Sequence, residues 1–202
     1  MCDAGSGKYR LGLRTYIIGA SCTSQSGFEP LINIMNSVTE STQETSQFGI
    51  LEGGNVLYVA KKDSPQAIRM ISWVGTKLPA NATAIGKALL SDLTDEQIRD
   101  LYRDGLPKLT EHTISDMDLL LGQIEQIRCG EIATETEEST PQMRCFAVPI
   151  RQNGRVDAAL SISVPIFRYT DEKRVQICQC LREAQQQIEQ LVGLYNFELI
   201  KP

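Results

Sequence analysis

The order of its helices and strands predicts that this chain folds as an α+β domain built on a mostly antiparallel sheet. Two turns between apolar runs indicate β-hairpins, Gly53-Gly54-Asn55 and Gln152-Asn153-Gly154. Apolar residues recur at helical spacing before, between and after these hairpins. Strands joined by tight turns run antiparallel, and helices on every side of them predict a sheet that is covered on both faces.

The first elements are predicted to be one helix and three strands. Apolar residues follow a helical period from Phe28 to Val38, which predicts an amphipathic helix. The period then changes, and residues 45–63 are expected to form the first hairpin. Residues 67–73, "AIRMISW", are a candidate for a third strand.

Three helices are predicted in the middle of the chain. The first covers residues 83–91, and the second begins after Thr94, where Gln97 has the spacing of a capping box. The third covers Ser115–Arg128, with its leucines and isoleucines on one side, and Gly130 ends it.

The last third of the chain is predicted to hold a loop, a hairpin and a long helix. The acidic stretch Glu135–Gln142 is expected to be a solvated loop, with one inward carboxylate as the exception. Residues 144–151 and 155–166 then form the second hairpin. A helix from Asp171 to about Tyr195 closes the chain.

Composition limits the classes of function. The chain has 202 residues, which suits one core, and its net charge of −5 argues against duplex DNA binding by this domain itself. It has no apolar run of membrane-spanning length and no pattern of a signal peptide, so we expect a cytoplasmic protein that does not contact a membrane.

Neither a metal site nor a cofactor is expected. The six cysteines are scattered without a C-x-x-C pair, and the single histidine, His112, is expected in a surface loop. Zinc sites need clustered His and Cys ligands, which this pattern does not offer. Without a secretory signal the cysteines are expected to be reduced thiols.

The stretch "LPANATAIGKALLSD", Leu78–Asp92, contains Gly-Lys but is not a phosphate-binding P-loop. That motif needs Gly where Asn81 stands and Ser or Thr where Ala88 stands. Instead Thr83 is a candidate helix cap, and the free N–H groups of the next three residues would attract a small anion. These residues are Ala84, Ile85 and Gly86, and Lys87 after them is expected to face solvent.

Ser161 and Ser163 lie two residues apart on a predicted strand, so they share one face with Ala159. That face is either the wall of a polar pocket or simply the wetter side of the sheet. Cys145, on the neighbouring strand of the hairpin, is expected near the serines. A cysteine among apolar residues is usually a small buried hydrophobic group. The alternative is that Cys145 is a reactive thiol.

Three segments resemble the effector-binding domain of the IclR family of bacterial transcription regulators. These are "RMISWVGTKLPANATAIGKALLSDLTDEQI", "GEIATETEESTPQMRCFAVPI" and "GRVDAALSISVPIFRYTDE", in the family's order. In addition, "KYRLGLRTYIIG" resembles the last wing strand and linker helix after the family's winged helix-turn-helix.

The resemblance implies a GAF-like fold, with about six mostly antiparallel strands and helices on both sides. It implies two parts, residues 1–26 as the end of the wing plus linker helix and residues 27–198 as the effector-binding domain. It also implies a small-molecule effector, often a carboxylate, and a homo-oligomer, either dimer or tetramer. Operator DNA would be bound only through a winged helix that this chain lacks, so the chain is expected to be a fragment of a longer regulator.

The resemblance also implies the residues of an effector pocket. Carried over position by position, they are Met70, Leu78, Ala84, Ile85, Glu135, Met143, Cys145, Ser161 and Ser163. Their expected roles are backbone donors to an anion at Ala84 and Ile85, hydroxyl partners at the two serines, and apolar walls at Met70, Leu78 and Met143.

Three positions depart from the family pattern. The family often has His at Asn81, Gly or Ala at Ile85, and Gly at Gln142. Ile85 is expected to shrink the cavity, and Gln142 could change the path of the loop that carries Glu135 and Met143.

Three functions are therefore open. The first is a ligand-sensing module of a regulator, without catalytic activity. The second is an enzyme that uses the thiol of Cys145, and the third is a dimerisation module without a ligand.

Overall fold

The computed structural model describes residues 2–3, 9–10, 28–70 and 72–195. Within these residues the chain forms eight strands, five helices and two short 3-10 turns. The strands are β1 Cys2–Asp3, β2 Tyr9–Arg10, β3 Thr45–Glu52, β4 Asn55–Lys62, β5 Lys77–Pro79, β6 Ala133–Thr136, β7 Met143–Gln152 and β8 Arg155–Pro165. The helices are α1 Phe28–Thr42, α2 Ala84–Leu90, α3 Asp95–Leu101, α4 Met117–Arg128 and α5 Asp171–Tyr195, and the 3-10 turns are Ala80–Ala82 and Ile166–Arg168.

Six strands form one antiparallel sheet in the order β5-β4-β3-β8-β7-β6. Both predicted hairpins are present, as β3–β4 and β7–β8. The two hairpins join where β3 pairs with β8, so these two strands are central and residues of distant sequence meet there. The prediction of an α+β domain with about six antiparallel strands is confirmed.

The sheet is covered on both faces, as the sequence predicts. Alternation along β8 sends Leu160, Ile162 and Val164 into an apolar cluster with α1 and α5. Ala159 points the other way, into a second cluster formed with α2, α3 and α4. We call the second side the α2 face, and it carries Ser161 and Ser163.

Helix α2 lies unusually close to the 3-10 turn that precedes it. A Cβ atom on Gly86 would stand 2.2 Å from the carbonyl oxygen of Ala80, a distance that real Cβ atoms do not reach. Gly86 is therefore required because only a residue without a side chain lets the turn fold back on the helix. This contact fixes where the first turn of α2 meets the sheet.

Local helix signals are confirmed at several points. Thr94 and Gln97 form the predicted capping box of α3. Helix α4 begins two residues later than predicted, because Asp116 caps it by accepting bonds from the N–H groups of Asp118 and Leu119.

The prediction of a strand over residues 67–73 is wrong. The described residues of this stretch are not in a strand, and the fifth strand of the sheet is Lys77–Pro79. The apolar side chains of Ile68, Trp73 and Val74 are mostly exposed, so their apolar character does not reflect burial against the sheet.

Most of the predicted wing and linker helix, residues 1–26, lies outside the described residues. The described part is a two-residue pairing of β1 with β2. No helix among the described residues is long and apolar enough to cross a membrane.

Gly86→Ala is predicted to lower the free energy of unfolding by about 1–3 kcal/mol or more, because the added methyl group overlaps backbone atoms of Ala80. Gly122→Ala, inside α4, is the matched control, since a Cβ there meets nothing within 4 Å. The control is expected to stabilise the protein by about 0.5–1 kcal/mol because alanine is the better helix former. Urea unfolding measures both, and an equal effect of the two variants would contradict the close contact.

Candidate functional site

Polar side chains form a row across the α2 face of the sheet. Cross-strand pairing places Glu135 opposite Cys145 and Cys145 opposite Ser163, while Ser161 lies opposite Gln47. We call these five residues the polar row. Each of them is at least nine-tenths buried, so their hydrogen-bonding groups need partners inside the protein.

Hydrogen bonds link the polar row from strand to strand. The thiol of Cys145 donates to Ser163 Oγ over 3.3 Å, and Ser163 Oγ donates to Gln47 Oε1 over 3.0 Å. Gln47 Nε2 then donates to Ser72 Oγ over 2.7 Å. Ser161 Oγ faces the carbonyl oxygen of Gln47 at 3.5 Å. The expected meeting of Cys145 with the serines is therefore present, and both serines face the packed interior rather than solvent.

Gln47 is part of the polar row, although the sequence analysis does not predict it as a site residue. Its strand, β3, is buried over the residues around it, so alternation does not single out one face. Only the pairing of β3 with β8 brings Gln47 beside the serines, which lie more than a hundred residues later. A polar residue in a buried central strand is the one local signal that could have indicated it.

Burial keeps the thiol of Cys145 protonated. Loss of solvent is the main cause that raises its pKa well above the ordinary value, and the nearby carboxylate of Glu135 raises the pKa further. A nucleophilic cysteine needs the opposite, a lowered pKa next to a positive group. This environment favours a wall residue over a reactive thiol.

Glu135 is turned inward, in agreement with the one inward carboxylate expected within the acidic stretch. Its carboxylate accepts bonds from the backbone N–H of Glu138 at 2.8 Å and from Ser139 Oγ at 3.2 Å. Burial is the main cause that raises its pKa, and the hydrogen bond from Cys145 opposes the rise. Glu138 is buried as well, so two carboxylates of the acidic stretch lie inside. Glu135 itself belongs to β6.

Lys87 is fully buried, which overturns its prediction as a solvent-facing residue. Its Nζ contacts Glu138 Oε1 at 2.6 Å, Gln123 Oε1 at 2.8 Å and the carbonyl oxygen of Thr134 at 3.4 Å. Because an ammonium has three protons, these three acceptors satisfy it. The ion pair with Glu138 is what makes burial of the charge possible.

The start of α2 offers fewer free N–H groups than predicted. Thr83 caps the helix as expected, and its Oγ1 accepts the N–H of Gly86 at 3.0 Å, so that group is not free. For Ala84 and Ile85 we find no N–H acceptor among the described residues. Burial is the main cause that raises the pKa of the nearby Tyr58 above its ordinary range.

The apolar residues of the predicted site occupy different depths. Ala84 and Ile85 belong to the apolar cluster of the α2 face, and Leu78 packs against it while partly exposed. Met143 is buried two residues before Cys145 on the same side of β7. Met70 is buried in the connection between β4 and β5 but belongs to neither apolar cluster of the described residues.

The departure at Gln142 does not displace β6 from β7. Gln142 has φ of 60°, the left-handed conformation in which glycine is favoured. Its backbone N–H donates to Glu137 Oε1 at 2.7 Å, and its carbonyl oxygen accepts the N–H of Ile166 at 2.9 Å. These bonds hold the loop, and Glu135 keeps its pairing with Cys145.

Comparison with known proteins gives the family. Residues 28–190 match the family described as bacterial transcriptional regulator IclR, C-terminal. The chain belongs to the IclR family. It corresponds to the C-terminal domain of these regulators, and its relatives are transcriptional regulators rather than enzymes.

Two similar curated relatives are both named HTH-type transcriptional regulator KdgR. The protein of Escherichia coli is 31% identical over 96% of this chain and 75% of its own length. The protein of Dickeya chrysanthemi is 30% identical over 96% of this chain and 65% of its own length. This chain therefore spans roughly two thirds to three quarters of these IclR relatives.

A solved IclR homologue from Microbacterium hydrocarbonoxydans, complexed with 4-hydroxybenzoate, has the same fold. It superimposes with a TM-score of 0.79 at 25% identity, over 93% of this chain and 77% of that one. That homologue binds a small aromatic acid.

Lys87→Met is predicted to lower the free energy of unfolding by about 3–5 kcal/mol, because it leaves the carboxylate of Glu138 buried without its cation. Adding Glu138→Met should recover part of the loss, since the double variant removes both charges. Arg99→Met is the control, because the ion pair of Arg99 with Asp118 is exposed and is expected to contribute about 0–1 kcal/mol. Urea unfolding of the four proteins tests this, and a double variant that is no more stable than Lys87→Met would contradict the coupling.

Glu135 is predicted to make the protein less stable as pH rises. Between its ordinary pKa of 4.5 and its raised native pKa, the folded state binds more protons than the unfolded state. The free energy of unfolding therefore falls as pH increases through this window. Glu135→Gln should remove this loss, while Glu131→Gln, at an exposed position, should retain it. Unfolding free energies measured from pH 4 upward test this, and parallel curves for wild type and Glu135→Gln would refute it.

Proposed function

We infer that this domain is the effector-binding and oligomerisation module of an IclR-type regulator, and that it binds a small organic acid between α2 and the polar row. The observation that carries this proposal is the polar row itself. Five polar side chains lie buried on one sheet face among apolar residues, where packing alone favours apolar groups. Such convergent polar groups in an apolar layer are typical of small-molecule sites.

The start of α2 supports an anionic ligand. The N–H groups of Ala84 and Ile85 point out of the first helical turn, where the helix dipole favours negative charge. Ile85 is buried and crowded against β3, since its Cδ1 would stand 3.3 Å from a Cβ on Gly49. Ile85 therefore favours a small acid. The 4-hydroxybenzoate complex of the Microbacterium homologue supports the class of ligand.

The remaining predicted residues complete the site as walls. Met70, Leu78 and Met143 would enclose the apolar part of the ligand, and Cys145 would face it as a protonated thiol. Glu135 would lie at the far end of the row, where it accepts hydrogen bonds.

Regulation would follow from coupling between domains. In the full regulator, acid binding would shift the relative positions of paired domains and thereby change operator affinity of the winged helices in the cytoplasm. The controlled genes would form a catabolic operon. A homo-oligomer is part of this proposal because the effector-binding domain can change its relative position only with respect to a second copy of the domain.

Loss of both serines is predicted to weaken acid binding. Wild-type protein should give saturable heat with at least one acid from a panel of small hydroxy, keto and aromatic acids, because the polar row and the start of α2 hold it. Ser161→Ala with Ser163→Ala removes both hydroxyl groups of the polar row and should weaken binding by about tenfold or more. Ser115→Ala is the control because Ser115 is exposed.

The same titrations distinguish this proposal from the alternatives. If no acid of the panel binds wild-type protein while ultracentrifugation shows a stable dimer, the domain is a dimerisation module. Equal affinity of wild type and the double serine variant would place the acid elsewhere.

A further inference from the structure

The hydroxyl donors of the polar row, those of Ser161 and Ser163, are already used within the protein. A hydroxyl has one proton, and that of Ser163 goes to Gln47 Oε1 over 3.0 Å. The hydroxyl of Ser161 is directed at the carbonyl oxygen of Gln47. The amide of Gln47 in turn donates to Ser72 over 2.7 Å. Neither serine therefore has a proton left for a ligand.

The buried cation next to the row is also fully engaged. The three protons of Lys87 are matched by Glu138 Oε1, Gln123 Oε1 and the carbonyl oxygen of Thr134. Lys87 thus neutralises charge without offering a free N–H group. A ligand that needs a donor from Lys87 would have to break one of these contacts.

Acceptors, in contrast, are in surplus. Within the described residues Glu138 Oε2 has no hydrogen-bond partner, although its side chain is only 8% exposed. Ser163 Oγ keeps a lone pair, because it receives at most the one thiol proton of Cys145.

Glu138 belongs to the same site as the row. The backbone N–H of Glu138 binds the carboxylate of Glu135, and its charge acts on both Glu135 and Cys145. The unpartnered oxygen of Glu138 therefore lies beside the end of the row. A buried acceptor without a donor is destabilising, and a ligand donor would relieve that cost.

We propose that the ligand presents a hydroxyl group to these acceptors, so that the site selects 2-hydroxy acids over the matching 2-keto acids. This inference rests on the proposed function, that a small acid binds here. A hydroxyl donates to Ser163 Oγ or Glu138 Oε2, whereas a keto oxygen only accepts, and the hydroxyl protons of the two serines are taken. One hydrogen bond gained or lost corresponds to a preference of about tenfold.

Gln47 determines that Ser163 accepts, and does not donate, toward the ligand, and it is therefore the specificity-determining residue. Its Oε1 takes the proton of Ser163, which turns the hydroxyl into an acceptor toward the ligand. Replacing the amide with the thioether of methionine keeps a similar length but removes the strong acceptor. The proton of Ser163 is then free for a keto oxygen, so the preference should shrink.

The test compares matched acids by calorimetry on the full chain at neutral pH, where all are singly charged anions. The pairs are L- or D-lactate against pyruvate, and 2-hydroxybutyrate against 2-oxobutyrate. Wild type should bind a hydroxy acid about tenfold more tightly than its keto partner. Gln47→Met should reduce that ratio to about threefold or less, while Gln186→Met, at an exposed position, should keep it.

The outcomes separate the two claims. Tighter binding of the keto acids, or equal binding, overturns the hydroxyl inference and leaves the proposed function standing. An unchanged ratio in Gln47→Met overturns the role of Gln47. If neither these acids nor the wider panel bind wild type, the proposed function fails and the inference fails with it. Thermal unfolding of Gln47→Met and Gln186→Met confirms that both variants are folded.

Discussion

The burial of Lys87 is the constraint on which the site depends. Its ammonium group is fully shielded from water, and its acceptors come from three elements: Gln123 on α4, Thr134 on β6, and Glu138 in the β6–β7 connection. An unpaired buried charge is strongly destabilising, so these elements must meet at α2 for the chain to fold. These contacts tie α2 to α4, β6 and the β6–β7 connection beside the polar row.

Packing and polarity then divide the two sheet faces between stability and function. The side with α1 and α5 is filled by large apolar residues, and it supplies the core that holds β8 in place. The α2 face of the same strand carries Ser161 and Ser163. The alternation of side chains along β8 therefore supplies apolar residues to the core and polar residues to the proposed site. The chain retains polar groups where apolar ones would pack better, which is expected where binding rather than stability decides the residue.

Features that depend on neighbours in sequence were predictable, and those that depend on distant partners were not. The two hairpins, the capping box at Thr94 and the two faces of β8 follow from turn chemistry and alternation. The burial of Lys87 does not, because its partners lie 36 to 51 residues away. The strand expected at residues 67–73 was wrong because apolar composition alone does not establish burial. Alternation and helix capping indicated the serines and the start of α2, the family resemblance added the apolar walls, and Gln47 was identified only by the register of β3 with β8.

The most direct test of the account is where a small acid perturbs the backbone. An NMR titration of isotope-labelled protein with lactate follows every amide at once. The account predicts saturable shifts at the amides of Ala84, Ile85 and Ser163, with those of Val38 and Ile177 on the opposite side of the sheet unchanged. Saturable shifts confined to residues between α1 and α5, with the start of α2 unaffected, would contradict it.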